Sequence, residues 1–354
     1  MSTETVGQIP ASARRRGQLL DLRAIRVLRF ALGVTLAAGI SFAFEWPLYF
    51  LCPIFTAVFL AQALPNPAST FKDALLNSWY VIEGFALGLV FTLFLIPFPG
   101  LYILALGLVL FHIFYRLNRG ESFWRVLMHL LAVLILPMLG QMHEGMSIGF
   151  AANFAVSGIL AILFVMVAYA LFPDPPRQAD APRRPPATTG YVPTAAVAAL
   201  KTALVVVPLA VFMIALEWTS EVLVMTFVAV FALSPRLEHG LSEGLNSLKS
   251  TLLGGIAALV VYWLLVAVPE FHFFLALMLF VALIFGQGIF SEHPLARYLA
   301  SALIVVLVLV GGSTGEGKDI VEKLMTRFLL ISTAVIYIVS AFYVLERFVF
   351  RSTR

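Results

Sequence analysis

Long apolar stretches dominate the chain, and its polar residues gather in the short intervals between them. Such runs read at about 29–44, 48–62, 78–96, 100–117, 124–140 and 147–172, then at about 196–216, 220–234, 249–268, 271–288, 297–312 and 326–348. A helix needs about 20 apolar residues to cross about 30 Å of hydrocarbon, and most runs approach that length. They also lack the alternation of a lipid-facing barrel strand. The pattern predicts an all-α polytopic membrane protein with about twelve transmembrane helices. Prolines punctuate the intervals, at Pro65 and Pro67 and at Pro97 and Pro99. The stretch from Phe172 to Ala187 combines proline and charge, so it is expected to be a solvated linker.

The two sets of six resemble each other. Residues 29–59 align without a gap to residues 201–231, 172 positions later, with 12 identities in 31 positions, among them Glu45-Trp46 against Glu217-Trp218. Further on, Gly84 matches Gly255, Arg125 matches Arg297 and Gly140 matches Gly311, with the offset drifting by about one residue. The expected organisation is a basic amino-terminal segment (1–28), a six-helix repeat (29–172), a Pro-rich linker (173–193) and a second six-helix repeat (194–350). Six is even, so both repeats enter the membrane with the same polarity, and a pseudo-two-fold along the membrane normal should relate them.

Composition agrees. Apolar residues make up 61% and charged residues 12%, against about 45–50% and about 25% in soluble domains. With the amino terminus inside, 20 of the 23 Lys and Arg residues fall on the cytoplasmic side, and only Lys318, Lys323 and Arg327 fall outside. That is the positive-inside pattern. It accounts for the basic balance without a nucleic-acid partner and puts both termini and the linker in the cytoplasm. Arg14, Arg15 and Arg16 resemble the start of a secretory signal, but the following helix recurs in mid-chain, so no cleaved leader is expected. Cys52, the single cysteine, lies in an apolar run and is expected to pack.

Against this background a few polar residues stand out. Glu83 falls inside the third run, where a carboxylate is costly unless protonated, paired or wetted. His112 comes one turn before Arg116 and His129 one turn after Arg125, so both imidazoles fall near the depth of Glu83. These three are the proton-coupling candidates; each histidine taken alone also fits a satisfied core or interfacial position. Arg125, Arg297 and Arg327 are the anion-binding candidates, since a guanidinium matches a planar carboxylate; topology anchoring explains the first two equally well. Glu45, Trp46, Glu217 and Trp218 are candidates for the outer mouth of a central path, or simply anchors at the membrane–water boundary. No Walker loop, His-Glu-x-x-His or Gly-x-Ser-x-Gly occurs. The chain is therefore not expected to be an enzyme, and it calls for no metal or cofactor.

The basic lead-in Leu22-Arg-Ala-Ile-Arg-Val-Leu-Arg-Phe30, the tandem six-helix units and an arginine opening the fifth helix resemble the fusaric acid resistance and aromatic carboxylic acid exporter superfamily. Within it the chain is similar to compact members known as a domain of unknown function. The resemblance implies a bacterial inner-membrane secondary transporter, with proton-driven efflux of small aromatic acids and a periplasmic adaptor as a possible partner. The larger members carry a sizeable soluble domain between their halves, whereas about 20 linker residues stand here. A gated anion channel is the alternative; the lipid bilayer is a partner in either case, and a homo-oligomer is compatible with both.

Overall fold

The computed structural model describes residues 11–62, 71–173, 190–216, 224–225, 228, 237–313 and 320–348, and every longer regular element among them is helical. Hydrocarbon offers no hydrogen-bonding partner, so an apolar segment satisfies its backbone groups internally, as a helix does. The elements are α1 (Ala11–Phe44), α2 (Leu51–Leu60), α3 (Phe71–Val90, continued by a π turn at Phe91–Leu95), α4 (Pro99–Asn118), α5 (Phe123–Met142) and α6 (Glu144–Leu171). They continue as α7 (Pro193–Ala215), α8 (Leu237–Ala267), α9 (Phe271–Ile289), α10 (Ala296–Ser313) and α11 (Ile320–Phe348). The 220–234 run and most of the linker lie outside the described residues.

Eight described helices are long and apolar enough to cross a membrane: Leu22–Phe44, Phe71–Leu95, α4, α5, α6, α7, Leu245–Ala267 and α9. The chain is a multi-pass membrane protein. α2 is shorter, at 10 residues, or about 15 Å. The apolar parts of α10 and α11 are also short, at Ala296–Gly311 and Phe328–Val344.

Sequence chemistry explains several ends. α4 and α7 begin on prolines, Pro99 and Pro193, whose missing N–H is no loss in a first turn. His143 caps α6, its Nδ1 accepting from Gly145 N at 3.0 Å. α1 stops before Pro47 in a sharp turn, where Glu45 and Leu48 hold left-handed backbone at φ 45° and 62°. That conformation costs on the order of 1–3 kcal/mol per residue and persists only where its surroundings enforce it. The clamp here is Trp46 Nε1 donating to Ser157 Oγ at 3.0 Å.

Packing follows a crossed plan. α3 lies on α5 and α8 lies on α10 as the most extensive contacts, while α1 packs on α9 and α4 on α7. One core joins Phe30, Phe55, Phe59, Trp124, Phe154 and Val306, and another joins Leu106, Phe114, Leu134, Val206 and Ile338. The α3–α5 crossing is close because glycine lines it. A Cβ on Gly84 would lie 3.0 Å from the backbone of Met128 and His129, and one on Gly88 would lie 2.7 Å from Ala132 O. Gly254 of α8 meets Ala302 of α10 in the same way.

Candidate functional site

The glycine face of α3 decides what surrounds Glu83. With Gly84 and Gly88 set against α5, the neighbouring carboxylate meets the first two turns of that helix. Arg125 Nη2 donates to Glu83 Oε1 at 2.7 Å and to Oε2 at 3.0 Å. Its other terminal nitrogen donates to Glu121, one turn earlier, at 2.5 Å, and the guanidinium stands 4.9 Å above the Tyr80 ring. Arg116 Nε lies 3.7 Å from the second oxygen of Glu121. Two arginines thus face two carboxylates, and the group is balanced in formal charge. Nearby, Trp124 Nε1 donates to Asn77 O at 3.2 Å.

His129, one turn after Arg125, is buried. Its Nδ1 lies 2.8 Å from the carbonyl oxygen of Arg125. A carbonyl only accepts, so Nδ1 carries the hydrogen, and Nε2 is left facing Glu83 Oε1 at 3.6 Å. Without a further proton these are two acceptors opposed. A proton on Nε2 turns the opposition into a charge-assisted contact, and a proton on the carboxylate turns it into a neutral O–H donor facing the ring nitrogen.

The other sequence candidates sit elsewhere. His112 does not join Glu83: it is exposed, and its Nδ1 bonds Leu108 O of its own helix at 2.7 Å. The correction is one of rotation about α4, since equal depth does not fix which face a residue occupies. The helix carrying Glu83 also begins earlier than the apolar run suggests, at Phe71; the level of Glu83 is that of the opening turns of α5. Arg297, the sequence match of Arg125, is exposed and lies 4.7 Å over the ring of Tyr298, next to it in sequence; Lys249 Nζ stands 5.9 Å from that ring. Among the described residues no carboxylate pairs with Arg297, so the two halves differ in charge where they match in sequence. Arg327 falls in α11, with its side chain outside the described set. Glu45 is exposed in its strained turn and the Trp46 indole donates to Ser157 Oγ at 3.0 Å, while Glu217 and Trp218 lie outside the described residues.

Sequence reasoning missed Glu121 and Tyr80 as members of the site. The spacing of Glu121 and Arg125, four apart, was the available signal for the first; nothing in the sequence marks the second. Arg29, which the repeat matches to Lys201, serves the fold: it is buried, donates to Phe172 O at 3.1 Å and stacks 3.8 Å over Tyr169. Among the described residues no group of three His, Cys, Asp or Glu could hold a metal ion.

Residues 26–168 match a family described as "Protein of unknown function (DUF2955)". The matched segment runs from within α1 to within α6. Comparison with curated proteins finds no match, and comparison with solved structures finds none.

Proposed function

We propose that the protein is an inner-membrane secondary transporter exporting small organic anions, with a proton held between Glu83 and His129 controlling access to Arg125. The observation that carries this reading is the opposed pair, Glu83 Oε1 and His129 Nε2 at 3.6 Å, beside a guanidinium that already holds the same carboxylate at 2.7 Å. A substrate carboxylate and Glu83 offer Arg125 the same chemistry, so they compete for it. A proton that draws Glu83 towards His129, or neutralises it, leaves the Arg125 fork open to the substrate. Exit of an anion is favoured by an inside-negative potential, and the proton sets when the site opens.

In this reading the chain crosses the membrane twelve times, as two parallel repeats with cytoplasmic termini. Three observations support it: α3·α5 recurs as α8·α10, α1·α9 recurs as α7·α4, and the family match covers one six-helix unit. The test is transport of benzoate into everted vesicles, with and without an imposed pH gradient. Glu83→Gln keeps size and cannot ionise, so it should transport without responding to the gradient. A Gln variant that keeps the full response would refute the role of Glu83.

A further inference from the structure

The second half of the chain treats its arginine differently from the first. Arg125 is neutralised by Glu83 and Glu121. Arg297 and Lys249 instead flank the ring of Tyr298, at 4.7 Å and 5.9 Å from its centre, and neither pairs with a carboxylate among the described residues. A ring face attracts a cation without cancelling its charge. Glu292, in the turn before α10, is exposed and enters no ion pair among the described residues.

A groove of about 220 Å³ lies one turn from Arg297, where α1, α2 and α10 meet. Its walls are apolar, from Phe30 of α1, Ala57, Val58 and Ala61 of α2 and Ile304 of α10, and its polar residues are Gln62 and Ser301. Arg297 stands three, four and seven residues before the lining residues Ala300, Ser301 and Ile304, a spacing that puts it on the same face of α10. Half-buried Arg26 stands four residues before Phe30 and seven before Gly33. A Cβ on Gly33 would lie 2.5 Å from Leu60 of α2, so this face of α1 looks towards α2. Arg23 donates to Gln287 O at 2.8 Å, which sets the start of α1 level with the end of α9 and hence with the start of α10. One helical turn is about 5.4 Å, within the reach of an arginine side chain. Arg26, Arg297 and Gln62 therefore gather at one end of the groove, at the boundary where the span Phe271–Ile289 ends and the apolar segment Ala296–Gly311 begins.

Charge and shape together select the occupant. A soluble anion would satisfy the arginines and leave the apolar walls in water. A zwitterionic lipid would cover the walls but bring its own cation to the two guanidiniums. An anionic phospholipid meets both demands, and basic pockets between transmembrane helices hold such headgroups. We propose that this groove binds one anionic phospholipid. Its phosphate accepts from Arg26 and Arg297, and an acyl chain runs from Ser301 along the partly exposed stripe of Ile304 and Val308. Lys249, on the far side of the Tyr298 ring, adds positive potential at the same end. The proposal uses the multi-pass fold and is independent of the transport reading.

The probe is dioleoylphosphatidylglycerol, titrated onto the delipidated full chain in detergent micelles and counted by native mass spectrometry. Dioleoylphosphatidylcholine is the zwitterionic comparison, and excess inorganic phosphate is the soluble competitor. One phosphatidylglycerol is expected to bind ahead of any others, more tightly than phosphatidylcholine and undisturbed by phosphate. Arg26→Gln combined with Arg297→Gln should weaken it about 30-fold, the joint effect of two basic side chains at a membrane surface. Lys72→Gln removes an exposed cation that does not line the groove and should change nothing. Ser301→Trp keeps every charge, fills the groove and should weaken binding as well. An unchanged unfolding midpoint without lipid separates lost binding from a lost fold. Equal affinity for the two lipids, or a double Gln variant that binds phosphatidylglycerol as the wild type does, overturns the proposal. Displacement by phosphate overturns it in favour of a soluble anion. Weakening by the double Gln variant but not by Ser301→Trp overturns it in favour of a diffuse surface charge.

Discussion

Replacing Gly88 with alanine tests the close crossing that brings Arg125 to Glu83. The added Cβ would lie 2.7 Å from Ala132 O, 2.8 Å from its carbonyl carbon and 2.9 Å from its Cβ. Carbon contacts are comfortable from about 3.5 Å, and the atoms in the way are backbone or Cβ, which no rotamer change removes. α3 and α5 must therefore separate by about 0.6–0.8 Å, set by that contact distance. Overpacking of this kind costs about 1–3 kcal/mol, while alanine's helix preference returns up to about 1 kcal/mol. Gly107 of α4 supplies the control, because nothing lies within 4 Å of a Cβ built there. Both substitutions gain the same preference, so the difference between Gly88→Ala and Gly107→Ala isolates the steric part, expected at about 1–3 kcal/mol. The assay is reversible unfolding in mixed micelles, titrated with SDS and followed by tryptophan fluorescence. A difference under about 0.5 kcal/mol, the usual scatter of neutral substitutions, would refute the claim that glycine is needed at this crossing.

Three further outcomes are expected. Arg29→Lys keeps the charge but loses the stack on Tyr169 and the geometry of the bond to Phe172 O; unfolding titration should show a loss of about 1–2 kcal/mol, and an unchanged midpoint would mark Arg29 as a plain topology anchor. Trp46→Phe removes the indole N–H from Ser157 and should cost about 1 kcal/mol by the same titration, with a zero effect showing that the strained turn is held by something else. Alkaline phosphatase and green fluorescent protein fusions after Arg119 and after His143 should report opposite sides of the membrane; equal sidedness would remove the parallel arrangement of the halves.

Much of the helical layout was legible because a membrane enforces it: apolar length and proline position bracket most described helices to within a few residues. α3 and α8 start earlier than their apolar runs. Phe71–Asn77 and Leu237–Leu248 carry polar and charged residues among the apolar ones, and a search for apolar runs passes over them. The site was legible in some of its members, with Glu121 and Tyr80 passed over, and not in its grouping. Glu83 and Arg125 each stand out in the sequence, one as a proton carrier and the other as an anion ligand, and they are partners of each other. The missing information was rotation about each helix axis, which depth along the chain does not carry. Gly84 and Gly88 held part of it, since a face bare of side chains is the face a neighbouring backbone can approach. That argument points Glu83 towards a neighbour and says nothing for His112, whose ring lies on the open side of α4.

The crossed pairing of α1 with α9 and α4 with α7 bears on assembly. Until α7 and α9 have been synthesised, α1 and α4 each lack the helix they contact most extensively in the finished protein. A chain ending after α6 could cover those faces with a second copy of itself, α1 of each copy lying on α4 of the other about a two-fold axis. Expressed alone, residues 1–173 should therefore be recovered as a dimer rather than as a stable monomer.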